Sequence, residues 1–161
     1  MGQAKTFMAE HLIIRDYLDS DFVRAEQIHD LARPIELEGS CDPRGFVPLA
    51  KDKADLNEFL TSKKFVAILS DEFVGFVGIQ PLEIGWLYVD PLHFDQGIGR
   101  RLLKHGLSKL SVKDNDIEVH VLAGNNRARK LYESEGFVES ERFEVRNNGY
   151  PCKLVKLVLA Q

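Results

Sequence analysis

Cysteine is scarce: Cys41 and Cys152 are the only two, and they stand far apart. That count gives neither a disulfide framework nor zinc-ligand spacing, so two reduced thiols in a reducing compartment, the cytoplasm, are expected. Long apolar runs are missing, and nothing approaches the ~20 residues a membrane helix needs. Residues 1–7 lack the apolar core of a signal peptide. A charge excess is missing too. Twenty-one basic against twenty-five acidic residues give a net charge of −4. That balance disfavours a general electrostatic grip on nucleic acid. Five histidines, His11, His29, His93, His105 and His120, form no metal-ligand spacing. Neither a metal, nor nucleic acid, nor a membrane is therefore expected as a partner. No repeat and no Pro/Gly/Ser-rich linker divides the chain.

What is present suits one domain. The chain has 161 residues, 44% hydrophobic and 29% charged, enough for a packed core. Residues 1–8 are expected to be a disordered leader. Gly2 and Thr6 fit the myristoylation pattern, but no basic cluster or second lipid site accompanies them.

Residues 11–16 read as a first strand. Asp19, Ser20 and Asp21 then offer caps for a helix whose apolar side is Phe22, Val23, Ile28 and Leu31, bounded by Pro34. Residues 36–48 are punctuated as a loop by Gly39, Pro43, Gly45 and Pro48. A short helix is expected over 53–60. Strands follow at 65–69, 73–79 and 83–89, with short turns that argue for antiparallel hairpins. From Gly97, the spacing of Ile98, Leu102, Leu103, Leu107 and Leu110 predicts a helix with one buried stripe. Strand 117–122, helix 126–135 and strands 137–145 and 153–159 complete the chain. Asn148-Gly149 between the last two strands is a type I′ hairpin signal. The fold class is α/β (α+β): a mixed, mostly antiparallel sheet of six or seven strands flanked by about four helices.

The chemistry concentrates in two segments. In the first, Trp86-Leu87-Tyr88-Val89-Asp90-Pro91 leads to Gln96-Gly97-Ile98-Gly99-Arg100-Arg101, a strand running through a glycine turn into a helix. A helix N-terminus leaves backbone N–H groups unpaired and carries roughly half a positive charge. Glycines let those amides approach an anion such as a pyrophosphate. Leu102 stands where a dinucleotide fingerprint needs its third glycine, and no Gly-Lys-Ser/Thr follows, so two commoner phosphate loops are excluded. In the second segment, Asn125 or Asn126 is placed to cap a helix, and Tyr132 lies two turns after Asn125 on the same side. Capping and a half-buried core tyrosine are the plain readings of these residues alone.

Together the two segments resemble the GNAT superfamily of N-acetyltransferases. Its signature is a Leu-Tyr-Val-like strand end, Gln/Arg-x-x-Gly-x-Gly/Ala, then Asn-x-x-Ala-x-x-x-Tyr and Gly-Phe. The matching residues are Gly97, Gly99, Asn125, Ala128, Tyr132, Gly136 and Phe137, while Phe94 replaces the first Gln/Arg. The resemblance spans residues 65–137, about half the chain. It implies acetyl-coenzyme A as donor, its pyrophosphate on the amides of Gln96, Gly97, Ile98, Gly99, Arg100 and Arg101. Its pantetheine arm would run beside Leu87, Tyr88 and Val89 and touch Asn125.

An amine acceptor must lose a proton to attack, because a lysine-like amine has a pKa of ~10.4. Glu83 is the candidate base, through water, or else an ordinary strand-start glutamate; His120 is the alternative. The Val89 N–H is a candidate oxyanion donor, and Tyr132 a candidate acid for the departing thiolate. Glu36, Glu38 and Asp42 border the acceptor side in the resembled family, as solvated loop residues or as an attraction for a cationic amine. Tyr150 is a candidate wall of the same site, and His93 a candidate phosphate contact. The expected function is acetyl transfer to a small-molecule or peptide amine by direct attack in a ternary complex. A non-catalytic coenzyme A-binding regulatory module is the alternative, and a structural domain with a vestigial cleft the third. The exposed last strand would suit a homodimer.

Overall fold

The computed structural model describes residues 11–110 and 116–160. The expected leader lies outside these residues. Seven strands form one sheet: β1 (Leu12–Asp16), β2 (Lys63–Leu69), β3 (Glu72–Gln80), β4 (Glu83–Val89), β5 (Ile117–Leu122), β6 (Val138–Asn147) and β7 (Tyr150–Leu159). Their spatial order is β1-β2-β3-β4-β5-β7-β6. Four helices flank the sheet: α1 (Phe22–Leu37), α2 (Lys53–Thr61), α3 (Ile98–Ser108) and α4 (Asn126–Ser134).

The period of two along the strands divides the core in two. On one face Val66, Phe76, Trp86 and Tyr88 pack with Ala25, Ile28, Ala32 and Phe59 of α1 and α2. On the other, Phe65, Ala67, Val77, Val119 and Val121 pack with Ile98, Leu102 and Leu103 of α3 and with Tyr132 of α4. The stripe expected on α3 is therefore the buried one. Leu102 and Leu103 are fully buried, worth roughly 2 kcal/mol each by apolar area.

Helix α1 departs from expectation twice. It runs through Pro34 to Leu37, so Glu36 belongs to a helix and not to a loop. Proline removes one helical hydrogen bond. The turn nevertheless stays anchored, because Leu37 is buried and Glu36 is hydrogen-bonded to Arg33 and Tyr88. The buried side is Ala25, Ile28, His29 and Ala32, which recur at helical spacing. Val23 and Leu31, expected inside, are 73% and 50% exposed.

The hairpin signal at Asn148-Gly149 corresponds to two residues with positive φ, 51° and 88°, joining β6 and β7. The cysteines correct the sequence reading. Cys41 sits opposite Cys152 of β7 across an isolated antiparallel bridge, with Cα atoms 4.2 Å apart, and the two are joined as a disulfide. Their separation of 111 residues concealed that adjacency. The expectation of two reduced thiols fails, and with it the ground for assuming a reducing compartment.

One irregularity shapes the rest. β4 and β5 are the parallel pair, yet they register only at Glu83 and Glu118. Beyond that point the strands splay. The register of β3 against β4 shifts at Gly78/Ile79, and such a bulge bends the strand. Meanwhile β5 keeps six paired residues with β7 on its other edge. The open end of this V faces the start of α3.

Candidate active site

Alternation along β4 decides what the V exposes. The Asp90 N–H bonds the Val74 carbonyl at 2.8 Å, toward β3. The amides of Leu87 and Val89, being out of phase with it, face the edge that β5 has left. An extended ligand can add to such an edge.

The chain then reaches the glycine turn. Gly97 caps α3 with φ 83°, in the left-handed region where glycine carries no Cβ penalty. The first intrahelical bond runs from the Arg101 N–H to the Gly97 carbonyl at 3.1 Å. The amides of Ile98, Gly99 and Arg100 are thus left without helical acceptors. They open on a cleft of about 610 Å³ lined by Leu87, Val89, Gly97, Gly99, Asn125 and Leu131, among others. Donor amides, helix dipole and a cleft of this size fit a pyrophosphate with an extended arm.

The predicted binding residues are only partly brought together. Leu87, Val89, Gly97, Ile98, Gly99, Arg100 and Asn125 line the cleft. Arg100 is exposed and pairs with Glu135 and Ser134. Arg101 turns away, donating to the Leu12 carbonyl of β1 at 3.3 Å. Gln96 is outside the lining, and its Oε1 is buried without a partner. Tyr88 points to the opposite face, where its hydroxyl donates to Glu36 at 3.3 Å; burial and that carboxylate push its pKa up. Asn125 lines the cleft and also accepts the Ala128 N–H at 3.2 Å, so it caps α4 as well. Sequence reasoning missed Arg127 and Lys130, which add cations to the cleft wall from α4. Their spacing of three on a helix was the available signal. Arg127 also lies over the Phe94 ring at 4.2 Å, so the residue that replaces the signature Gln/Arg holds a cation instead. His93 lines the cleft as well.

A second pocket of about 250 Å³ meets the first, sharing Glu36, Leu87, Asn125 and Ala128. It contains both predicted catalytic residues, Tyr132 and Glu83. Tyr132 is buried with its ring edge-on to Phe137 at 5.4 Å. Burial first, and the charge of Glu36 second, raise the pKa of its phenol, which stays protonated. Glu83 faces His120 Nδ1 at 3.4 Å, so the candidate base and its alternative form a pair. Arg33, Glu36, Asp55, Glu58 and Trp86 complete much of the wall. Of the three acids expected beside the acceptor, Glu36 alone is there. Asp42 is tied to Arg44, which holds its carboxyl down at about 2, and Glu38 lines neither cavity. Tyr150 lies under the Arg44 guanidinium at 4.8 Å and lines neither cavity.

Among the described residues, no cluster of metal-binding side chains occurs, and no helix is long and apolar enough to cross a membrane.

Known structures share this architecture. A GCN5-related N-acetyltransferase from Rhodopseudomonas palustris superposes with a TM-score of 0.80 at 19% identity, over 92% of this chain and 95% of that one. NAA60 from Arabidopsis thaliana, solved with a bisubstrate analogue, gives 0.69 at 20% identity, over 92% and 97%. YncA from Salmonella typhimurium, solved with its cofactor acetyl-CoA, gives 0.68 at 16%, over 92% and 93%. At these identities the likeness is one of fold. No curated protein matches the sequence. The model of the acetyltransferase (GNAT) domain matches residues 61–139, from the end of α2 into β6. By that sequence match the segment holding the glycine turn and the Asn125-to-Tyr132 helix is an acetyltransferase (GNAT) domain, and the solved N-acetyltransferase above shares the fold of the whole chain.

Proposed function

We propose that the protein transfers the acetyl group of acetyl-coenzyme A directly to an amine held in the second pocket. One observation carries this: the amide cradle at Gly97 and the pocket of Tyr132 and Glu83 open onto one another where β4 and β5 part. In this reading the amides of Ile98, Gly99 and Arg100 hold the pyrophosphate, and Arg127 and Lys130 add charge around it. Leu87 and Val89 offer the free strand edge to the pantetheine arm. The donor supplies an activated thioester. The Val89 N–H faces the splay, where it can receive the acyl oxygen as charge gathers there.

Glu83, with His120 beside it, takes the proton from the incoming amine through water. Tyr132 donates a hydrogen bond to the departing sulfur. Its raised pKa keeps the phenol protonated and so available as a donor to that sulfur. Both cysteines are held in the disulfide, which supports transfer without an acetyl-cysteine intermediate. An intracellular thioester as donor supports a cytoplasmic setting. The last strand, β7, lies between β5 and β6 and has no free edge for a homodimer, so the edge left for one on that side is β6.

The direct test measures thiol release from acetyl-coenzyme A across a panel of amines, beside calorimetric binding of the donor. Amine-dependent release is expected. Donor binding without release on any amine favours the regulatory-module reading, and no binding at all defeats both.

A further inference from the structure

The disulfide sits behind the wall that the two cavities share. Leu37, Leu122 and Cys152 form a small buried cluster, with Cys41, Phe46 and Leu154 packed against it. Leu122 and Leu154 also line the second pocket. Ser40, next to Cys41, accepts the Gly124 N–H on its Oγ at 2.5 Å and the Lys153 N–H on its carbonyl at 3.0 Å. A Cβ added at Gly124 would come within 2.7 Å of that Oγ, so the two segments are closely pressed. Asn125, the next residue, lines both cavities and caps the helix that carries Tyr132.

The same tie holds the connection from α1 to α2. Glu36 stands just before that connection and Asp55 and Glu58 just after it, and all three line the second pocket. Residues 38–48 hold one three-residue 3-10 turn, Pro43–Gly45. Apart from the disulfide and Ser40, the Gly45 carbonyl accepts from Asn148 Nδ2 in the β6–β7 turn at 2.8 Å. The chain rejoins the core at Leu49, which is fully buried with its N–H on Asp30 at 2.9 Å. A stretch with few buried contacts opens locally at low cost, and the covalent bond is the tie that prevents it.

A second observation is chemical. Coenzyme A thioesters are intracellular, and in that thiol-rich setting disulfides are rare and, when present, transient, catalytic or redox-sensing. Neither cysteine lines either cavity, which leaves sensing.

We propose that Cys41–Cys152 is a reversible redox switch on acceptor binding, closed when oxidised. The proposal rests on the acetyl-transfer reading, which places the chain with its donor among thiols. Cys152 is 2% exposed and Cys41 half-buried, so a dithiol reductant reaches the pair from the Cys41 side. Its thiolate bonds Cys41 Sγ and expels Cys152 as a thiolate, which takes up a proton. The second thiol of the reductant, losing its own proton, then displaces Cys41, which is protonated in turn. Two electrons and two protons have passed to the protein, and the reductant leaves as a disulfide. An oxidised dithiol reverses the exchange. Once untied, residues 38–48 leave the shared wall part of the time, and the acceptor binds the remaining fraction. The cradle at Gly97 belongs to other elements and keeps its hold on the donor.

Full-length protein is equilibrated in buffers poised with reduced or oxidised dithiothreitol. Free thiols are counted by alkylation and mass, and hydrogen exchange is followed across residues 38–48. Calorimetry gives the acetyl-coenzyme A affinity, and acetylation of n-butylamine is read from product mass, which thiol reagents do not disturb. Reduction is expected to free both thiols and to speed exchange at 38–48 about tenfold. The KM for the amine is expected to rise about fivefold, with donor affinity within about twofold. Cys41→Ser is expected to behave as the reduced protein in both buffers. Equal exchange and equal KM in the two states overturn the switch. So does a disulfide that survives reduced dithiothreitol in the native protein, or a KM that still differs between the buffers in Cys41→Ser. Donor affinity falling in step with the amine overturns the assignment to the acceptor side. Faster exchange on reduction, with no acetylation in either state, upholds the redox-controlled opening and counts against acetyl transfer.

Discussion

Tyr132 shows how little one side chain reveals before its surroundings are known. In the sequence it is a core tyrosine or an acid. In the fold it is buried against Phe137 and lines the pocket that holds Glu83, where the acid role is the one we propose for it. Replacing it by phenylalanine keeps the ring packing and removes the hydroxyl. Tyr132→Phe is expected to lower kcat by about 10²-fold or more, while the acetyl-coenzyme A affinity measured by calorimetry stays within about twofold. An undiminished kcat would take Tyr132 out of the mechanism. Glu36 marks the opposite case. It looked like a loop residue because Pro34 precedes it. Only the packing of α1 on Tyr88 brings that carboxylate between the two cavities.

At the scale of elements, the start of α3 is decided by backbone geometry. A Cβ added at Gly97 would touch nothing within 4 Å, so space does not require glycine there. The φ of 83° does, since the left-handed conformation costs other residues roughly 1–2 kcal/mol. Gly97→Ala is expected to remain folded, to lose a few degrees of Tm, and to bind acetyl-coenzyme A about tenfold more weakly as the turn re-aims its amides. Thermal melts and calorimetry check the two effects separately. A folded variant with unaltered affinity would remove the cradle from the binding site. The existence and order of the elements were legible because apolar spacing, caps and the Asn-Gly turn are local signals. The face of α1 was not. Val23 and Leu31 are as apolar as the buried residues, and only the position of the sheet selects Ala25, Ile28 and Ala32 instead.

For the whole molecule, the covalent tie between Cys41 and Cys152 links the segment after α1 to β7, closing a loop of 111 residues. Cross-links over loops of that size stabilise by roughly 2–5 kcal/mol, chiefly by restricting the unfolded chain. Alkylation of the native protein without reductant is expected to label neither cysteine, and reduction to lower Tm. Labelling of both thiols in the native state would refute the pairing. Such a link also holds Glu36, five residues upstream of Cys41, near the wall that the two cavities share.

The amino-acid order alone settled the succession of strands and helices, the glycine turn, the Asn-to-Tyr helix and the family to which they point. Each of these rests on periodicity or on contacts within a few residues. Long-range packing settled the remainder: the parting of β4 from β5, the departure of Arg101 toward β1, the joining of Cys41 to Cys152, and the meeting of Glu36, Asp55, Glu58 and Glu83 along one pocket. Those partners come from distant parts of the chain, and no local pattern encodes a distance that only a folded sheet can set.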